Sequence, residues 1–264
     1  MTTPLRWRLV RLTTVLVYLF MFLPIAAVIL LSFNPQQYGG LSLQGFSLQW
    51  YQELQHNEAI RAAARTSLTL GAQTAIISSI LGVMASMAMM RFDFPGKTFM
   101  NAVLVMPILM PEVVLGVALL LFLRWASVQR SYALLLMGHV LITLPFVILV
   151  VQARLAGLKR EFEEAARSLG ANPLQTFFQI TLPLILPAVL AGMVFAFTIS
   201  FDDITATLFW KSAGTETIPT QIFAMLRNSI SPQINALGTL MILLTAGLPL
   251  CAGLLARYFR RARV

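Results

Sequence analysis

The chain has 264 residues, 58% of them hydrophobic and only 11% charged, with a mean hydropathy of +0.80. That balance excludes a soluble domain, which could not keep a wetted surface, and makes lipid the solvent. The net charge of +9 would suggest nucleic acid in a soluble protein. Here the cations flank apolar runs and mark membrane topology, so no nucleic-acid partner is expected.

Six segments can cross a bilayer core, which takes about 20 apolar residues: 12–31, 66–90, 98–123, 132–153, 184–210 and 235–256. The expected fold is an all-α membrane protein of about six transmembrane helices, with 1–264 as a single transmembrane domain. Any large partner is then another chain. The first segment follows Arg6, Arg8 and Arg11 like a signal peptide, but it is longer than a signal core and no small-residue cleavage site precedes Ser32 and Phe33. It reads as an uncleaved first span.

Lys and Arg fall unevenly on alternate sides of these spans. One side holds Arg6, Arg8, Arg11, Arg91, Lys97, Arg154, Lys159, Arg160, Arg167, Arg257, Arg260, Arg261 and Arg263; the other holds only Arg61, Arg65, Arg124, Arg130, Lys211 and Arg227. The positive-inside rule puts both termini and the connection between spans four and five in the cytoplasm. Segments 33–65 and 211–234 are then external. Asn34-Pro35, Gly39-Gly40, Ala213-Gly214 and Ser231-Pro232 make them loops with short helices.

Three carboxylates interrupt the apolar spans: Glu112 in the third, and Asp202 and Asp203 in the fifth. At the centre of a bilayer each costs about 2.5–3.5 kcal/mol, so such groups face a cavity or a partner. At about 1.5 Å per residue, Glu112 lies roughly 21 Å from Thr98 and Asp202 roughly 27 Å from Leu184, both in the outer half. A carboxylate at that depth can also simply cap a helix or pair with Lys211 or Arg124. Around Glu112, however, Pro107 and Pro111 remove helix hydrogen bonds, and broken helices at membrane depth line cavities. On a continuous helix, Asp202 shares a face with Thr198 and Thr205, and Asp203 with Ser200 and Thr207; the residues do not choose between them. Acidic groups near Phe209 and Trp210 suit a cationic amine through charge-assisted hydrogen bonds and cation–π contact, although Lys211 beside such a route is unexpected. His139, alone among ionisable residues in span four, reads as a packed, hydrogen-bonded histidine rather than a gate. Cys251 has no partner cysteine, and His56 and His139 are far apart, so no metal site is expected.

The connection 155–183 concentrates charge and takes helical periodicity. Residues 161–169 read as one short helix with Phe162, Ala165, Ala166 and Leu169 on one face, Glu163 paired with Arg167, and Gly170 as left-handed stop. A second helix starts at Asn172 as N-cap with Pro173 at its first position, and Leu174, Phe177 and Phe178 form its apolar side. On the residues alone this is either a solvated loop on the membrane or a projection whose small alanines admit a partner's backbone. No ATPase lies in the chain: Gly96-Lys97-Thr98 has Arg91 where a phosphate-cradling loop needs glycine.

Glu164-Ala165-Ala166, three residues, Gly170, nine residues, then Ile180-Thr181-Leu182-Pro183 resembles the EAA loop of bacterial ABC importer permeases at every defined position. The resemblance implies the type I importer permease fold over nearly the whole chain. It further implies that Glu164, Ala165, Ala166 and Gly170 are contact and hinge positions for a cytoplasmic ATPase dimer; for Gly170 this role and the cap hold together. The ATPase would bind ATP and Mg, leaving no cofactor in this chain. The other implied partners are a second, similar permease, usually a different chain, and a soluble substrate-binding protein outside a bacterial inner membrane. Ser200-Phe201-Asp202-Asp203, Met110-Pro111-Glu112-Val113-Val114-Leu115-Gly116, Ile218-Pro219 and Ser231-Pro232-Gln233-Ile234-Asn235 are similar to the spermidine/putrescine branch. That likeness implies Glu112, Asp202 and Asp203, with Trp210 nearby, along an amine route. An opine, thiamine, an aminophosphonate or a ferric complex are alternative substrates. A secondary transporter relaying protons through the same acids would leave the EAA loop unexplained. An intramembrane aspartyl hydrolase needs two facing carboxylates on separate helices, which adjacent Asp202 and Asp203 cannot supply; Glu112 with one of them could in principle, but nothing else in the sequence supports it.

Overall fold

The computed structural model describes residues 4–36, 45–228 and 232–261, with side chains over 7–36, 45–227 and 232–254. Gly39-Gly40, Ser231 and Arg263 lie outside the described residues. Among the described residues every regular element is a helix. The chain separates into two compact units, Met1–Arg61 with Gln221–Leu244, and Ala62–Thr220 with Thr245–Val264.

The first unit contains α1 (Pro4–Leu31) and α2 (Gln49–His56). Helix α1 carries Arg6, Arg8 and Arg11 in its first turns, is uncharged on every side from Leu12 to Leu31 and is exposed from Trp7 to Ala26, the surface of a helix that meets lipid or another chain. Below it the chain turns back on itself. The Trp50 indole N–H donates to the Asn34 carbonyl at 2.7 Å, Ser32 and Tyr51 share a hydroxyl hydrogen bond of 2.7 Å, and Phe33 stacks on Phe46 at 4.5 Å.

The second unit is built around three long helices, α3 (Glu58–Arg91, from its second turn), α6 (Tyr132–Ala156) and α9 (Leu182–Asp202). Helix α6 is central, and its Val147 is wholly buried. A Cβ on Gly82 of α3 would lie 2.6 Å from Val147 Cγ1, and one on Gly192 of α9 would lie 3.2 Å from it. Glycine at both positions brings the three backbones together, as small residues do between helices in lipid. Ser78 of α3 and Thr143 of α6 add a buried hydroxyl hydrogen bond of 2.8 Å.

Two expected spans are not single straight helices. The third divides into α4 (Lys97–Leu109) and α5 (Glu112–Trp125), bent by 110°. Each half is only about 20 Å long, too short for a hydrocarbon core of about 30 Å. Met110 precedes Pro111, and steric pressure from the ring pushes it to extended backbone, φ −92° and ψ 134°.

The fifth span is displaced toward the loop. After α7 (Glu161–Ser168) and α8 (Pro173–Thr176), a π turn (Phe177–Thr181) runs without interruption into α9. Here the Leu182 N–H reaches back to the Phe177 carbonyl, and the wider turn makes room for Pro183, whose ring would clash with a carbonyl one α-turn earlier. At its other end α9 stops at Asp202, not Trp210. Asp203 is extended, and a separate helix α10 (Thr205–Trp210) follows. The external segment after it carries α11 (Ile218–Asn228) before the last span, α12 (Gln233–Arg261).

Candidate functional site

The loop helix α7 turns its apolar residues outward. Phe162 and Ala165 are exposed, Ala166 is half-buried, and Leu169 is 90% exposed. Glu164 and Gly170 are exposed as well. Gly170 has φ +91°, a conformation that penalises any Cβ. Its N–H donates to the Arg167 carbonyl at 2.9 Å while the Ala171 N–H reaches the Ala166 carbonyl at 3.0 Å, the two bonds of a Schellman stop. Asn172 then caps α8, accepting from the Gln175 N–H at 2.9 Å, and the Gln175 side chain accepts from the Asn172 N–H at 3.0 Å. Leu174 and Phe178 extend the exposed apolar surface.

Glu163 does not form the expected pair with Arg167. It points inward and accepts from Arg91 Nε at 3.1 Å and from Thr181 Oγ1 at 3.0 Å. Arg160 Nη2 donates to the Met90 carbonyl at 3.0 Å, next to the same end of α3. No spacing rule announces this link, since Arg91 and Glu163 are 72 residues apart.

The break in the fifth span separates the two aspartates. Asp202 is exposed, whereas Asp203 is buried and caps α10. Its carboxylate accepts from the Ala206 N–H at 3.3 Å, the Thr207 N–H at 2.8 Å and the Thr207 hydroxyl at 2.8 Å. With that hydroxyl proton committed to the carboxylate, Thr207 Oγ1 accepts from His139 Nε2–H at 3.0 Å, and His139 Nδ1 accepts from Ser200 Oγ–H at 2.8 Å. His139 is thus a packed, fully bonded histidine joining α6, α9 and α10, as its isolation in the sequence suggested. The helix-face argument for Asp203 assumed a continuous helix, which the structure does not contain.

Glu112 is exposed at the first position of α5, and Trp210 is placed differently from the expectation. The indole is wholly buried rather than lining a route, with its N–H donating to the Gly116 carbonyl of α5 at 3.0 Å. Gly138 of α6 makes room for the ring, because a Cβ there would lie 2.0 Å from it. Trp210 therefore fastens α10 to α5 and α6, setting Glu112 and the Asp202–Asp203 link on elements that are pinned together. Lys211 forms an ion pair with Glu216 at 2.5 Å, so its charge is already balanced.

Residues 78–264 match the family model described as binding-protein-dependent transport system inner membrane component. The chain belongs to that family. Among relatives of this permease, the spermidine/putrescine transport system permease protein PotC of Escherichia coli strain K12 is 34% identical over 241 residues, covering 91% of each chain. The putrescine transport system permease protein PotI of the same strain is 36% identical over 244 residues, covering 89% of the permease and 85% of PotI. The fold matches a chain of a bacterial ABC transporter involved in import of the acidic polysaccharide alginate, with TM-score 0.74, 17% identity and 96% of both chains covered. It also matches an amino acid ABC transporter at TM-score 0.62 and 14% identity, over 81% of the permease and all of that chain. The permease is thus a multi-pass membrane component of ABC importers.

Proposed function

We propose that this permease forms half of the translocation pathway of an ATP-driven importer in a bacterial inner membrane, and that the cargo is a polyamine of the spermidine and putrescine class. Both termini and the α7–α8 loop face the cytoplasm. There the exposed Phe162, Ala165, Leu169 and Leu174 surface, with Glu164, Ala166 and Gly170, receives an ATPase dimer that carries ATP and Mg. A second, similar permease completes the pathway, and a binding protein delivers cargo from outside. The names of PotC and PotI support the substrate class.

The observation that carries the substrate reading is the position of Asp202, exposed as the last residue of α9. A carboxylate at a helix C-terminus adds to the negative end of the macrodipole and destabilises the helix. A cation arriving there relieves that repulsion and gains a charge-assisted hydrogen bond. Glu112, at the first position of α5, has the same sign but sits at the favourable pole and serves as the second acidic station. The Lys211–Glu216 pair removes the one cation that argued against an amine route. Asp203 and Trp210 hold the link in shape from within.

The test is ATP-dependent uptake of labelled spermidine and putrescine by proteoliposomes containing the complete transporter and its binding protein. Uptake should be saturable and abolished without ATP. A binding protein that ignores both amines but takes another solute, such as 2-aminoethylphosphonate, ends the polyamine reading. Transport that persists without the ATPase favours a proton-coupled carrier instead. Glu164→Arg should insert normally yet lose uptake by releasing the ATPase, and normal co-purification of that variant with the ATPase contradicts the docking assignment.

A further inference from the structure

The exposed face of α7 explains where a motor can push, but not how a push reaches helices in the membrane. Apolar contact alone is non-directional and lets a short helix slide or roll. Glu163, on the opposite face, supplies the missing direction. Its Oε1 accepts from Arg91 Nε, at the last residue of α3, and from Thr181 Oγ1, at the end of the π turn that leads into α9. One oxygen atom thus joins three elements. The Arg91 and Glu163 side chains are only 10% and 8% exposed, and Arg91 Nη2 is buried with no hydrogen-bond partner among the described residues. Arg160, just before α7, closes a second link to the Met90 carbonyl.

A buried ion pair is a poor means of gaining stability, because desolvation offsets the Coulomb attraction; what it fixes well is geometry. Placing one beneath an otherwise exposed eight-residue helix, at a π turn of the kind that marks functional positions, points to force transmission. We propose that Glu163 is a positioning residue that makes α7, the end of α3 and the head of α9 one rigid lever, so that displacement of α7 moves both membrane helices together. This rests on the assignment of α7 as the ATPase contact.

The test uses the assembled transporter with Glu163→Gln and with the exchanged pair Arg91→Glu, Glu163→Arg. Because Glu163 faces away from the docking surface, Glu163→Gln should co-purify with the ATPase at normal stoichiometry. Spermidine moved per ATP hydrolysed should fall about tenfold, inside the about 5–150-fold range of couplings between sites, and the exchanged pair should recover most of it. A reading independent of substrate comes from spin labels at Phe92→Cys and Glu161→Cys in a Cys251→Ser background. Their separation should be unchanged by trapping with ATP and vanadate when Glu163 is present, and should change in Glu163→Gln.

The inference is overturned by a Glu163→Gln transporter whose coupling stays within about twofold of the parent, the scatter of uncoupled sites. It is equally overturned if the label separation changes as much in the parent as in the variant. Loss of the ATPase in Glu163→Gln without rescue by the exchanged pair assigns Glu163 a purely structural role and also refutes it. A parent protein that does not hold the ATPase at all removes the docking assignment, and the lever with it.

Discussion

Gly138→Ala probes the contact that fixes α10 against α6, and its cost can be worked from distances. The new Cβ would lie 2.0, 2.2 and 2.9 Å from Cε3, Cζ3 and Cδ2 of Trp210. Non-bonded carbons rest at about 3.5–4.0 Å, so the indole must retreat by about 1.5 Å. The ring is wholly buried, and its N–H lies 3.0 Å from the Gly116 carbonyl, so a retreat of that size breaks the bond. Overpacking costs about 1–3 kcal/mol and a stranded buried polar group about 1–3 kcal/mol, giving about 2–6 kcal/mol together. For a chain of this size, at about 2–4 °C per kcal/mol, the melting temperature should fall by roughly 4–24 °C. Thermal unfolding of the purified permease in detergent measures this. Gly247→Ala is the control, since among the described residues nothing lies within 4 Å of a Cβ there. If Gly138→Ala melts within about 2 °C of the parent, as a surface change would, Trp210 is not the fastening described.

The two aspartates should separate cleanly. Asp203→Ala removes the acceptor of three hydrogen bonds at α10 and should cost about 1–3 kcal/mol in thermal unfolding; Asp202→Asn should cost no stability, gaining at most about 1 kcal/mol from relief of the helix dipole, and should depress spermidine uptake. Equal melting losses in the two variants contradict the assignment. Gly170→Ala places a Cβ where φ is +91°, a strain of about 1–2 kcal/mol, with nothing among the described residues within 4 Å of it. Its Schellman stop should fray and ATPase co-purification should weaken, whereas Gly170→Asn should retain more binding because asparagine tolerates this region; equal behaviour of the two shows that backbone conformation is not what matters there.

The helical spans were legible because composition and run length decide them locally: a stretch of about 20 apolar residues has no stable alternative in lipid. The ends of α7 and α8 were legible for the same local reason, since Gly170, Asn172 and Pro173 act on their own backbone within a few residues. Proline pointed to the break near Glu112, because Pro111 constrains the residue directly before it. The break at Asp203 carried no such mark, and the face argument built on a continuous helix failed there.

What the sequence by itself determined is therefore the all-helical class, the approximate apolar spans, the family motif and the three carboxylates within those spans. Tertiary structure decided which carboxylate is exposed, where Trp210 points and what Glu163 holds. Asp202 and Asp203 are chemically equivalent neighbours, separated only because Asp203 meets the amides of α10 and Thr207 bonded to His139, 68 residues away. Trp210 finds its acceptor 94 residues away, and Glu163 its cation 72 residues away. Such pairings depend on which sides of distant helices meet, and that is fixed by glycine-permitted close packing among the helices of the second unit, not by any local pattern.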